Sequence, residues 1–484
     1  MKPLCLRLVA TSCCLVMAAG SHASSRPRYG GMVRILLHDR VNTIDPAAED
    51  DHPAARDRLA GLLFETLAAI DDQGRLHPGL ASSWSPDNGK RTWLFRLRLA
   101  KFSDGSQVTA TDAASSLTRA GLPWKCAAAD LQTVSIEAPV AVPHMPELLA
   151  LAKFAIVKRQ SDGTLLGTGP YKLSEWRPGE RALLIVNEDH WEGRAFPDAI
   201  EVQMGGSLRE RLLERQLGPY AAAELTLDQL RSLDGANQDI LVSHPADLLV
   251  ILFLQPDAAP TVRAGRRAVD PRVREALANA LDRATISNAL LQRKSSPASG
   301  LLPQWLTGYE FLFPSLSDRA RARKLITDAG LGQSGSLALA YDFSDPVAKL
   351  VAERIVVDCG QVGITVRAYG DAHVNTRSGQ ASLTADAILL RLPLRSLEPS
   401  VALSARSVDL GLDGQYGSAL LSAGRPEDLY EIERKMLENF RVVPVAHVSQ
   451  ALWLNGNAHN WQQLPTGAWN LDQLWLEGAR PSVP

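Results

Sequence analysis

Leu337-Ala338-Leu339-Ala340-Tyr341, then Asp345 to Val362, then Ile364-Thr365-Val366-Arg367-Ala368-Tyr369 is the stretch that decides the fold class. Two short β-forming runs flank a segment of helical length, which reads as a β-α-β unit. The pattern continues outward in both directions. Downstream come a strand over Ala387 to Leu392, a helix over Pro426 to Asn439 and a strand over Val442 to Val448. Upstream, Asp270-Pro271 opens the clearest helix, an N-cap acid with proline at N1. Val273, Leu277, Ala280, Leu281 and Ala284 form its apolar stripe, and Ser317 to Ala329 makes a second helix closed by Gly330. Leu248 to Leu254 is wholly apolar, as a buried strand requires.

The N-terminal half alternates in the same way. Met32 to Leu37 reads as a strand after Gly30-Gly31, and Arg56 to Leu67 as a helix with Leu59, Leu62, Leu63, Thr66 and Leu67 on one side. After the turn Ser85 to Lys90, a strand sends Trp93, Phe95, Leu97 and Leu99 one way and Leu94, Arg96 and Arg98 the other. Thr109-Ala110-Thr111-Asp112 is a capping box. Ala182 to Val186 and Ala199 to Met204 are further strands. Strands alternating with helices in both halves predict an α/β protein of two lobes.

Length and composition agree. The chain has 484 residues, 45% hydrophobic and 21% charged, ample for more than one core. The formal charge is -2, from 51 basic and 53 acidic residues, so no basic field offers itself to nucleic acid. Arg263, Arg266 and Arg267 form a basic loop, read as solvated surface. Zinc spacings are absent, as are GxSxG, a P-loop and a Rossmann fingerprint, so no enzyme chemistry, metal or cofactor is expected.

Lys2 and Arg7 precede the short apolar run Leu8 to Gly20, which ends in Ser21-His22-Ala23. That is the pattern of a cleaved Sec signal over residues 1–23, and it predicts a periplasmic protein. Cys13 and Cys14 raise lipid anchoring as an alternative. The apolar run, however, continues past both, and Ala10-Thr11-Ser12 lacks the usual leucine. Beyond the signal only Cys126 and Cys359 remain, either bridged or, as preferred here, two unpaired and mostly buried thiols.

An ordered series of motifs then resembles the family 5 extracellular solute-binding proteins, the dipeptide- and oligopeptide-binding receptors of ABC importers. The series begins with Gly30-Gly31-Met32-Val33-Arg34-Ile35, Thr43-Ile44-Asp45-Pro46 and Leu63-Phe64-Glu65-Thr66-Leu67. It continues with Leu76 to Trp84, Phe95 to Arg98, Lys101 to Gly105 and Val108 to Asp112. Gly167-Thr168-Gly169-Pro170-Tyr171, Asn187 to Trp191 and Asp270 to Arg283 complete it. The resemblance implies a type II periplasmic-binding fold, two lobes hinged about a cleft, with an extra N-terminal subdomain. On that basis residues 24–48, 161–255 and 441–484 are expected in the first lobe. Residues 49–160 are expected in the extra subdomain and 256–440 in the second lobe. The implied partners are a peptide or peptide-like solute and the permease subunits of the importer, with ATPase subunits acting indirectly. No nucleic acid is expected, and the protein should be a monomer.

The resemblance also points to cleft residues. Thr43, with its neighbours Asn42 and His38, lies where the family places one wall of the cleft. Leu390 to Pro399 corresponds to the family's G-W-x-x-D-Y-P-D-P, whose first aspartate grips a peptide's α-ammonium in peptide-specific members. Aligning Glu398-Pro399 on the final D-P puts Arg395 at that aspartate and Leu392 at the tryptophan. This departure leaves three readings: a ligand without a positive end, Glu398 or another acid in the role, or an alignment one residue out. An arginine there could also hold a carboxylate or phosphate. Trp305, Tyr309 and Tyr341 are candidate stacking surfaces. Two alternatives to a peptide receptor follow: a receptor for a non-peptide or anionic solute, and a degenerate periplasmic scaffold or sensor.

Overall fold

The computed structural model describes residues 27–71, 73–206, 220–226, 240–254, 268–309, 312–330 and 336–478. The expected signal and the basic loop at Arg263, Arg266 and Arg267 lie outside the described residues.

Two large sheets carry the two lobes. The first runs in the order Tyr171–Arg177, Arg181–Val186, Ala199–Gln203, Met32–Leu36, Ala222–Glu224, Ala451–Leu454, Ile240–Val242. Met32–Leu36 is its parallel centre, with Met32 opposite Ala199 and Ile35 opposite Ala222. Val33 and Ile35 point into a core with Leu59, Leu62, Leu184 and Val202. The helix at this core is Pro53–Leu63, shorter than the predicted Arg56 to Leu67 and shifted toward the N-terminus. Proline at its first turn fixes the start, and Phe64 leaves in an extended conformation. The chain is squeezed there: a Cβ on Gly167 would fall 1.9 Å from the Leu63 carbonyl oxygen, so only glycine fits.

The second sheet runs Ser295–Pro297, Val442–Val448, Asp247–Phe253, Ala387–Leu392, Leu337–Asp342, Val366–Asp371. Its last three strands are parallel, and helix Pro346–Gly360 makes the crossover of the predicted β-α-β unit. Asp345 caps that helix through the N–H groups of Val347 and Ala348. Asp247–Phe253 and Val442–Val448 are buried at every residue and pair with each other at the centre of this sheet. That corrects the expected boundaries, which assigned both runs to the first lobe. A strand apolar on both faces needs cover on both faces, and the middle of the second sheet supplies it.

The smaller body is a four-stranded antiparallel sheet, Ala81–Pro86, Thr92–Leu97, Thr133–Glu137, Lys125–Ala128, covered by helix Ala110–Arg119. Thr109 and Asp112 form the predicted capping box. Trp93, Phe95 and Leu97 face the core as the alternation predicts. Leu99 does not: the strand ends at Leu97, and Leu99 is exposed. Helix Pro53–Leu63, expected in this subdomain, packs instead into the first lobe's core. Val401, from helix Pro399–Asp409 of the second lobe, is fully buried in the subdomain's core. Cys126 and Cys359 are free thiols, the first in the subdomain and the second in the second lobe.

Among the described residues, two short segments join the lobes: Ser243–Ala246 on the way out and Ser449–Gln450 on the way back. They are tied side by side. The Ser243 N–H donates to the Gln450 carbonyl (2.9 Å), and the Gln450 N–H donates to Ser243 Oγ (2.9 Å). Paired crossings of this kind form a hinge.

Candidate functional site

Over the hinge the lobes enclose a solvent-open cleft in two compartments that share Ala54, Arg58 and Pro393. The hinge-side compartment, about 1160 Å³, is walled by His38, Asp39 and Glu224 of the first lobe and by Asp342, Asp345 and Arg391 of the second. The outer compartment, about 1310 Å³, lies between helix Pro53–Leu63 and the second-lobe loop Pro393 to Leu397, with Phe64, Trp191 and Trp469 on its wall.

Strand ends place the charged groups of the hinge-side compartment. Arg391 sits near the end of Ala387–Leu392 and donates to Asp247, at the start of the neighbouring strand, at 3.1 Å. Its other carboxylate partner is Asp345, the helix cap, at 3.7 Å. Burial works against its charge, yet Asp247, Asp345 and Asp39 together hold this guanidinium above its ordinary range. The Gln450 side chain donates to Asp247 from the hinge (3.0 Å). Arg58 donates to Glu224, to Gln450 Oε1 and to the Gly467 carbonyl (3.1 Å). One polar chain therefore runs from the first lobe through the hinge into the second.

Direct contacts close the gap. The His38 ring N–H donates to the Ser344 carbonyl across the cleft (3.1 Å). Asn375 donates to the Asp51 carbonyl (2.9 Å) and to its own lobe's Asp342 (2.8 Å). Ser378 Oγ donates to Glu49 (2.9 Å), and His144 of the subdomain lies 3.7 Å from Glu398. The lobes are shut on each other.

Of the residues singled out from sequence, His38 lines the hinge-side compartment and Arg395 the outer one. Arg395 is already engaged: it donates to Asp409 and stands 3.8 Å from Asp57 on the opposite wall. Thr43 and Asn42 lie outside both compartments. Their N–H groups are bound by Asp50, and Thr43 Oγ1 accepts from the Asp45 N–H. Glu398 caps helix Pro399–Asp409 through the Ser400 N–H. Leu392 is buried in the second lobe's core, and Tyr341 packs at that core's edge. Tyr309 donates to buried Glu433 and meets Tyr430 edge-on. Trp305 braces the hinge crossing, its indole N–H on the Pro245 carbonyl (2.9 Å). Neither ring faces the cleft.

Arg391, Asp247, Asp39, Asp51, Arg58 and Gln450 were missed. Arg391 carried a usable signal, because a charge inside an apolar strand needs a buried partner. Asp39 is the direct neighbour of the candidate His38. Among the described residues no group of three or more histidine, cysteine or carboxylate side chains could hold a metal ion.

Comparison with known proteins bears on the same geometry. The model of bacterial extracellular solute-binding proteins, family 5 Middle, matches residues 75–404. The nickel-binding protein NikA of Staphylococcus aureus is 26% identical over 250 residues, 49% of each chain, so that match spans about half of the relative's length. The glutathione-binding protein GsiB of Escherichia coli K12 is 23% identical over 356 residues, 69% of this chain and 68% of the relative. Among solved structures, the Escherichia coli murein tripeptide binding protein MppA superposes with a TM-score of 0.79 at 18% identity. That superposition covers 93% of this chain and 99% of MppA.

Proposed function

The chain belongs to the bacterial extracellular solute-binding proteins, family 5, and from that premise we propose that it is the receptor of an ABC importer for a peptide or peptide-like solute. The observation that carries this is a cleft walled by both lobes and set over a two-segment hinge. A solute held there touches both walls only when the lobes are shut, so it stabilises the shut state by its differential contacts. A membrane permease would then read the shut pair of lobes, while ATP hydrolysis belongs to other subunits. The signal-like pattern over residues 1–23 supports a receptor that works outside the cytoplasm. The relatives are named for binding nickel, glutathione and a murein tripeptide, which supports a small solute of peptide character.

An anionic solute gripped by Arg395 is less well supported. The guanidinium of Arg395 already faces Asp409 and Asp57, and a third carboxylate would have to displace one of them. The receptor reading is tested by titrating the purified protein with peptide pools, a sugar control and nickel with L-histidine. Tryptophan fluorescence and melting temperature are the readouts. At least one peptide pool should raise the melting temperature. Silence from every pool and control would sink the receptor reading.

A further inference from the structure

Helix Pro399–Asp409 buries its two sides in different bodies. Ala402 and Leu403 sit in the second lobe's core, and the Arg406 guanidinium fixes the helix to the hinge crossing by donating to the Ala246 carbonyl (2.8 Å). Val401 is turned the other way. It has no exposed surface and lies in the core of the small subdomain, and Leu421 of the next helix, Asp413–Ser422, packs against that same core. Leu397 adds a third apolar contact. A Cβ on Gly74, in the turn between Ala68–Ile70 and Leu76–Pro78, would fall 2.7 Å from Leu397 Cδ1. The subdomain, in turn, is fastened to the first lobe. The Ile156 N–H donates to the Glu65 carbonyl (2.8 Å), the Ser103 N–H donates to the Gly167 carbonyl (2.9 Å), and the Arg98 guanidinium lies 3.5 Å from the centre of the Trp191 ring. The subdomain therefore travels with the first lobe about the hinge, and opening must break the contacts at Val401, Leu421 and Leu397.

We infer that this contact is a latch built into the fold: Val401, with Leu421 and Leu397 beside it, holds the second lobe against the subdomain and biases the protein toward the shut form. The driving force is removal of apolar surface from water, which needs no partner of fixed geometry and lets the faces part and meet again. Val401 and Leu421 line neither compartment of the cleft. Their contribution to closure is therefore the same whatever the cleft holds. On the receptor reading, that bias raises the affinity for every solute by one common factor, because a solute that binds the shut form binds in proportion to the fraction of protein already shut. Arg406 ties the same helix to the hinge, so movement at the latch and movement at the crossing belong to one rigid element.

The test uses the purified protein alone, with the radius of gyration from small-angle scattering and the melting curve as readouts. Val401→Asp puts a carboxylate into an apolar core in the shut form and into water in the open one, so the variant should fold and show a larger radius than the parent. Val401→Ala should move the open-to-shut ratio roughly tenfold toward open. The control is Val351→Ala, which removes the same atoms from helix Pro346–Gly360 inside the second lobe's own core. It should lower the melting temperature more than Val401→Ala does, with no rise in radius. A Val401→Asp variant that keeps the parent's radius overturns the latch. So does one that cannot fold, because the open form keeps that charge in water. A Val401→Ala variant that melts as early as Val351→Ala also overturns it, by marking Val401 as part of a body that never parts. No solute enters these measurements, so their failure leaves the receptor reading standing, and silence of every solute in titration leaves the latch standing.

Discussion

Each compartment of the cleft contains an arginine facing two carboxylates, but the two clusters are wired differently. In the hinge-side compartment Arg391, Asp247 and Asp345 all belong to the second lobe. Its two ion pairs are complete whether the lobes are open or shut, and first-lobe Asp39 adds a longer-range attraction when they meet. In the outer compartment Arg395 pairs with Asp409 of its own lobe and approaches Asp57 on helix Pro53–Leu63 of the first. That cluster is complete only when the lobes meet. Similar side chains therefore do different work: the first cluster holds a lobe together, and the second favours closure. The distinction predicts which substitutions act on unfolding and which on opening.

The largest effect is expected at Arg391. Replacing it with methionine strands Asp247, which is 4% exposed, and Asp345. Breaking a buried pair from one side costs about 3 kcal/mol. The melting temperature of Arg391→Met should fall by several degrees, and adding Asp247→Asn should restore much of the loss. If the single variant melts like the parent, the cluster does not hold the lobe, and the contrast with Arg395 disappears.

Arg395→Met should act more weakly, by about 1–2 kcal/mol, and on a different equilibrium. It removes the guanidinium that reaches across the gap: Asp409 loses its arginine, while Asp57 keeps Arg56 of its own helix at 2.6 Å. The ligand-free protein should become more open, read as a larger radius of gyration in small-angle scattering, with a smaller change in melting temperature than Arg391→Met produces. A variant that melts early without opening would place Arg395 with the first kind of cluster.

The same contrast explains what could be read from sequence. The β-α-β unit, the capping box at Thr109 and the helix behind Asp270 were legible because each is encoded by neighbours in the chain, through periodicity and caps. The lobe boundaries were less so. Asp247–Phe253 is plainly a buried strand, but its sheet is chosen by partners about 140 and 190 residues away, at Ala387–Leu392 and Val442–Val448. The cleft was hardest. Within the Leu390 to Pro399 stretch, Arg395 lines the outer compartment. What sequence could not supply was the occupancy of that guanidinium, because Asp57 and Asp409 are not its neighbours in any motif.

The smallest effect tests whether closure responds to pH. His144, at the start of helix Met145–Leu149 in the subdomain, lies 3.6 Å from Glu147 and 3.7 Å from Glu398 across the gap. The Glu147 hydrogen bond raises the pKa of this imidazole, burial opposes the rise, and Glu398 adds to it, with Lys90 pulling slightly the other way. A histidine with a raised folded pKa contributes stability that is fully present below about 6.5, its unfolded value, and is lost as pH rises through the folded one. Glu147 moves with His144 when the lobes part, so its share is common to both forms. Glu398 belongs to the other lobe, so its share favours the shut form alone. For a pair this exposed that share is about 0.5 kcal/mol. Closure should therefore weaken modestly between pH 6 and pH 8, seen as a small rise in the ligand-free radius of gyration. His144→Gln should flatten the trend while Arg395→Met keeps it. An unchanged slope in His144→Gln would show that the pH response arises at another contact between the lobes.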